Sequence, residues 1–577
     1  MPATPCPPFT PQRLWAWRAG LFLAAVAVLQ QLAVAAGAGG WLPGWQPWPF
    51  LLLAGPLLWW GSRPLRRLPA DPADPGPCGA PRVPSGALLA GLLVLTAGAW
   101  AVLQDHESLI GHEESVYGNR ARSWSGAGTP AAGWGPYRPP VLPLLGSLAL
   151  RVHQDVGALR VVGLLLALAT VTVTYLVVAH WTSPRQSALV VLLLLGGLGF
   201  LRRLPQFLTD IGATGLLLVV VWILVRVQEK PGSRALWALP PVVLAAFYLR
   251  YGVVGNLLAI ALGALFAYGP RAWAAQGRRL APVGALVLLG AVPHLVQAVR
   301  LTGSPLGLLT WATEQAERAF IGDGLLYYLA ILPYRLAGDL GGLFLIVGLV
   351  GLAAAVRRTR GGAPADRDRR TVFLGSASLL TFVVLGLATD GEPRFVYLPV
   401  VLLTVLGVQT VRGALAARAV PVLTATAGMA VLTLLGTVHV VAHGAMPGPM
   451  DQHRSTVPVA RALAAGPGER CLLVTGYEPE NGWYSRCDAV TYGQYRRLDP
   501  DPGTRVSFIR FTRGREQPTA EGVRRLAGDH PVRTRRIPTG GSLGTATVVT
   551  LVVPGASGAS GASGSAGRPA EDADHLR

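Results

Sequence analysis

Residues 86–140 read GALLAGLLVLTAGAWAVLQDHESLIGHEESVYGNRARSWSGAGTPAAGWGPYRPP, and two unlike halves meet in them. Residues 86–104 carry no charged side chain and are long enough to cross a hydrocarbon core about 30 Å thick as a helix. From Asp105 onward, acids, arginines and aromatic residues crowd together, and the stretch ends on Pro139-Pro140, which restricts how the chain leaves Arg138. An apolar span therefore delivers the chain into a loop of concentrated polar chemistry.

The same apolar pattern recurs on both sides of this stretch. Of 577 residues, 51% are apolar and only 14% are Asp, Glu, Lys or Arg, against about a quarter charged in a soluble protein. Mean hydropathy is +0.43. About 13 candidate spans fall between residues 19 and 441, which predicts an all-α polytopic membrane protein. The first segment, Leu21 to Ala36, has the length of a signal peptide, but further spans follow at once, so it reads as a retained anchor.

The net charge of +20 does not point to nucleic acid. Arginines gather in short stretches between apolar runs: Arg63, Arg66 and Arg67; Arg271, Arg278 and Arg279; Arg357 to Arg370. That is how cytoplasmic loops look, because positive residues fix topology. A cytoplasmic N-terminus puts these clusters inside and places loops 105–155, 202–209, 300–338 and 389–394, with everything after residue 442, outside. The expected setting is a bacterial plasma membrane.

Four segments follow. Residues 1–85 hold a cytoplasmic start, two spans and a basic loop; 86–441 form the main membrane domain. Residues 442–553 change to strand-length apolar runs (Cys471–Thr475, Val506–Phe511, Thr545–Val553) with helical stretches between them, which predicts a small extracytoplasmic α/β domain. Residues 554–577, rich in Gly, Ala and Ser, read as a disordered tail. Cys471 and Cys487 are either a disulfide pair or two buried thiols; Cys6 and Cys78 fall on the reducing side.

Three motifs carry candidate chemistry. The first is Glu113-Glu114, Tyr117, Tyr137 and Arg138 in the quoted loop; the plain alternative is a solvated polar loop. The second is Asp210, which opens a span; an acid there also suits a helix N-terminus as a cap. The third is Asp390-Gly-Glu-Pro-Arg-Phe-Val-Tyr-Leu-Pro399, where Arg394 lies at an outer end against the positive-inside trend, either snorkelling or binding an anion. Arg250 and Tyr251, with Arg202 and Arg203, lie on the same side. A guanidinium suits phosphate through paired, charge-assisted hydrogen bonds, and these arginines show no matching acids in sequence. His106, His112 and His153 have no metal-ligand spacing. No phosphate-binding glycine loop, dinucleotide fingerprint or nucleophile elbow occurs.

In order and spacing, over residues 86–412, these motifs resemble the GT-C glycosyltransferases related to polyprenyl-phosphate-mannose protein mannosyltransferases and the bacterial aminoarabinose transferase. The resemblance rests on Glu113-Glu114, Tyr117, Arg138-Pro139-Pro140, Asp210 and Arg394-Phe-Val-Tyr-Leu-Pro. It implies inverting transfer of mannose, or another hexose or pentose, from a polyprenyl-phosphate lipid to a hydroxyl of a glycan, lipid or protein on the outer face. It assigns general-base work to Glu113 or Glu114; Glu113 stands where the family usually has Asp. Arg138, with Arg250 or Arg394, would hold the donor phosphate, and Tyr117, Tyr137 and Tyr397 would contact substrate. Asp210 would orient the site or, as in some relatives, help hold a divalent cation. The other class considered is a lipid-linked-sugar flippase or transporter, which predicts broken helices and ionisable groups near mid-membrane.

Overall fold

The computed structural model describes residues 11–35, 48–61, 84–106, 109–126, 134–314, 319–332, 334–360, 365–416, 419–442, 451–466 and 468–553. Cys6, Cys78, the cluster Arg63, Arg66 and Arg67, and the 554–577 tail lie outside them. The chain separates into two compact units, a helical one and one whose described part lies mainly in residues 451–553.

In the helical unit, eight described helices are long and apolar enough to cross a membrane, among them Val156–Trp181, Asp210–Glu229, Gly277–Thr302 and Asp366–Ala388. Helices suit such sequences because hydrocarbon leaves every backbone polar group to be satisfied within its own segment. Shorter apolar helices, Val141–Val152, Pro184–Leu195, Leu239–Leu249 and Val253–Tyr268, complete the bundle. Where lipid supplies no hydrophobic drive between helices, close packing must hold them. Gly348 and Gly407 provide it between Tyr334–Arg360 and Tyr397–Leu415: a methyl group on Gly407 would lie 2.1 Å from the Phe344 carbonyl oxygen.

One expected span is interrupted, and one apolar stretch is divided in two. The run at 187–201 breaks at Gly196-Gly197, after which Leu198–Arg203 forms a separate short helix. The near-continuous run at 235–268 divides at Arg250–Gly252, between the spans expected at 235–249 and 252–268, and leaves Arg250 as the C-cap of Leu239–Leu249. The expected 105–155 loop is itself largely helical, with His112–Trp124 and Val141–Val152 inside it.

The second unit holds a five-stranded sheet in the order β2-β1-β3-β5-β4, built from β1 (Cys471–Val474), β2 (Asp488–Val490), β3 (Arg505–Phe511), β4 (Arg533–Pro538) and β5 (Thr545–Val552). β1 pairs parallel with β2 and β3, and β5 runs antiparallel to β3 and β4. Side chains alternate across the sheet, so each face has its own core. Leu473, Ile509 and Val548 meet Val459 from helix Asp451–Ala462 on one face, and Leu472, Phe508 and Leu551 meet Val523 from helix Ala520–Ala527 on the other. A disulfide joins Cys471 to Cys487.

Candidate active site

Helix His112–Trp124 begins at Gly111, whose backbone N–H donates to Glu114 Oε2 at 3.1 Å. The same carboxylate accepts two bonds from Arg160, Nε to Oε1 at 3.1 Å and Nη2 to Oε2 at 3.0 Å, and one from the Phe207 N–H at 2.8 Å. Both side chains of this pair are only 2% exposed. Arg160 also donates to the Leu109 carbonyl and to Gln104 Oε1, and Gln104 in turn donates to the Pro205 carbonyl. Gly163, one turn along from Arg160, makes room for this: a methyl group there would lie 2.5 Å from the Gln206 carbonyl oxygen. The buried hub thus ties helix His112–Trp124 to Ser85–His106, to Val156–Trp181 and to the segment just before Asp210. Arg160 was not among the candidates from sequence, although a lone arginine within an apolar run is a recognisable signal.

Glu113, the neighbouring residue, points elsewhere. Its carboxylate is one-third exposed and meets Arg138 Nη1 at 3.2 Å and Arg394 Nη2 at 3.7 Å. Burial alone would push its pKa up; Arg394 and Arg138 outweigh that and hold it down to about 2. Tyr117, one helical turn on and 8% exposed, lies under Arg138 at 5.7 Å from guanidinium to ring, and Tyr137 packs on the same guanidinium at 5.5 Å.

Asp210 is the first residue of its helix and is buried in an ion pair with Arg250. Arg250 stacks on Phe395 at 4.6 Å, which brings it beside Arg394, 5.5 Å from the same ring. Arg394 is further held by Glu392 at 2.5 Å, and Glu392 reaches Arg203 at 3.9 Å. Glu113, Asp210, Arg138, Arg250, Arg394, Tyr117 and Tyr137 therefore belong to one connected cluster. Glu114 faces away from it onto Arg160. Tyr397 is buried with its hydroxyl donating to the Gly199 carbonyl at 2.6 Å and its ring against Phe200.

Most of the arginines singled out from the sequence meet an acid: Arg138 meets Glu113, Arg250 meets Asp210, and Arg394 meets Glu392. Counting Arg203, four guanidinium groups face three carboxylates. A phosphate group entering here would exchange with carboxylates already in place. Among the described residues no three His, Cys, Asp or Glu side chains converge as metal ligands, and these acids are each turned on arginine.

No protein-family model matches the chain, and no curated protein is similar to it. Among solved structures, it is similar to ArnT, an aminoarabinose transferase, from Cupriavidus metallidurans bound to undecaprenyl phosphate. The TM-score is 0.59 at 15% identity, with 81% of this chain and 98% of that one covered. The apo state of the same enzyme gives a TM-score of 0.57 at 14% identity over the same shares. The oligosaccharyltransferase AglB from Archaeoglobus fulgidus, in complex with an inhibitory peptide and a dolichol-phosphate, gives 0.43 at 12%, covering 70% and 64%. The likeness to ArnT is one of fold, and the chain has the GT-C architecture.

Proposed function

We propose that this chain is a membrane glycosyltransferase that moves a sugar, mannose or another hexose or pentose, from a polyprenyl-phosphate lipid to an acceptor hydroxyl. The observation that carries the proposal is Glu113, an ionised carboxylate open to solvent on one side and flanked by Arg138 and Arg394. A base and phosphate-binding cations in contact are what inverting transfer from a phosphate-linked donor needs. The ArnT structure with undecaprenyl phosphate has the same fold and holds a lipid of the donor's class. Bacterial plasma membrane and an outward-facing site remain parts of this reading, following the arginine distribution.

In the reaction, the acceptor oxygen attacks the anomeric carbon from the face opposite the phosphate. The new C–O bond forms as the bond from the anomeric carbon to the phosphate oxygen breaks, and that electron pair leaves with polyprenyl phosphate. The hydroxyl proton passes to Glu113. A carboxylate with a pKa near 2 is a poor base, but the donor supplies the remedy. Phosphate competes for Arg138 and Arg394, and as they turn to it the charge that holds Glu113 down is withdrawn. The same two arginines then stabilise the charge that grows on the leaving group. Asp210 positions Arg250 alongside.

Glu113→Gln tests the proposal in membranes supplied with radiolabelled polyprenyl-phosphate mannose and other labelled donors. Loss of transfer at normal protein levels supports it; transfer at the parent rate refutes it. A cysteine at Ser125 labelled from outside the cell supports the orientation, and protection from outside inverts it.

A further inference from the structure

The helix that carries Glu113 presents a second feature that the transfer chemistry does not use. Glu113, Tyr117, Arg120 and Trp124 recur at intervals of four, three and four residues. At 3.6 residues per turn they fall within an arc of about 60° and extend roughly 16 Å from the carboxylate to the indole. Along this stripe the Arg120 guanidinium meets two tryptophans, 4.9 Å from the ring of Trp124 and 5.7 Å from that of Trp134. Trp134 in turn meets Tyr117 edge to face at 5.8 Å.

Arg120 differs from the arginines around Glu113. It makes no ion pair and no hydrogen bond among the described residues, and its Nε is buried without a partner. Burial without an acid pulls its pKa down, whereas Glu113 more than offsets the same effect at Arg138. Both indoles lie within cation–π range of the guanidinium. A planar cation fixed in this way has already lost its rotamer freedom and is ready for a carboxylate or phosphate. Aromatic rings on both sides offer apolar faces to a saccharide.

We propose that this stripe is the acceptor subsite, and that the acceptor is a saccharide carrying an anionic group bound by Arg120, its ring packed on Trp134 and its hydroxyl directed to Glu113. The name acceptor subsite rests on the transferase reading; the binding itself does not.

The full-length protein in detergent is titrated with glucose 6-phosphate, glucuronate, methyl glucoside and inorganic phosphate, with tryptophan fluorescence as the readout. The charged sugars are expected to bind at least about tenfold more tightly than methyl glucoside, since a charge-assisted bond is lost in the neutral sugar. Whichever charged sugar binds more tightly identifies the anion as phosphate or carboxylate. Arg120→Gln should weaken binding by a similar factor, Arg120→Lys should restore most of it, and Trp134→Phe should remove the fluorescence change. Equal binding of methyl glucoside overturns the anionic requirement. Equal binding of inorganic phosphate overturns the saccharide, and unchanged binding in Arg120→Gln, or no binding of any probe, overturns the site. Glu113→Gln is expected to keep the preference for the charged sugars over methyl glucoside, because that preference arises at Arg120. A failure of the transferase reading would appear in its turnover, and a failure of the subsite in these titrations.

Discussion

Replacing Glu114 with glutamine, beside the same change at Glu113, separates two adjacent and chemically identical side chains by what they face. Glu114 shares two hydrogen bonds with Arg160, and both partners are 2% exposed. Glutamine leaves Arg160 without a charged partner, although Gln104 Oε1 at 3.3 Å and the Leu109 carbonyl at 3.1 Å still accept from it. Removing one member of a buried pair typically costs about 3–5 kcal/mol. Glu113 is one-third exposed, and its longer pairs to Arg138 and Arg394 contribute at most about 1 kcal/mol to stability. Its loss should instead slow transfer by roughly 10²–10⁴.

Two assays on detergent-purified protein read the difference: thermal survival of the monodisperse peak, and turnover of a labelled polyprenyl-phosphate sugar. Glu114→Gln should melt much earlier and retain turnover per folded molecule, while Glu113→Gln should melt near the parent and lose turnover. The pair Glu114→Gln with Arg160→Met should recover most of the lost stability. It removes both charges and leaves an amide oxygen to accept from the Phe207 N–H. The reasoning is refuted if Glu114→Gln is as stable as the parent, or if Glu113→Gln turns over normally.

Three further outcomes are expected. Glu113 titrates near 2 in the folded state, below its ordinary 4.5, so its contribution to stability is complete above pH 4.5 and is lost as pH falls through 2; Arg138→Gln removes a cation, raises this pKa and moves the acid limb of kcat/KM to higher pH, which a pH–rate profile measures. Tyr397→Phe deletes only the bond to the Gly199 carbonyl and should cost about 1 kcal/mol in thermal stability with kcat and KM within twofold of the parent; a large rise in KM would put the hydroxyl on substrate. Replacing both Cys471 and Cys487 with serine opens a link across 16 residues, worth about 3 kcal/mol, and should make the C-terminal unit of the full chain more sensitive to limited proteolysis; an unchanged digestion pattern counts against it.

The membrane domain was legible because its signal is local: a run of apolar residues either spans hydrocarbon or it does not. The candidate cluster was legible for a related reason. Acids and arginines at the ends of spans stand out against an apolar background, and Glu113, Arg138, Asp210, Arg250 and Arg394 are brought together. Helix His112–Trp124 was hidden by its own composition, since Gly, Ser and charge read as loop. β4, sequence RTRRIP, was hidden in the same way: as an edge strand it buries a single apolar side chain, Ile537.

What no local pattern conveys is which partner each charge takes. Glu113 and Glu114 differ by about 100° around their helix. That rotation alone turns one toward Arg138 and Arg394 and the other onto Arg160, 46 residues away inside an apparent span. The same geometry reverses the reading of the outer arginines. Arginines without matching acids suggested an anionic ligand, yet Arg138 and Arg250 are matched through space and Arg394 by Glu392, two residues before it, and a phosphate would compete with these carboxylates. Arg120 has none to give up. The most specific sign of a charged ligand therefore lies on the arginine that charge spacing in the sequence did least to single out.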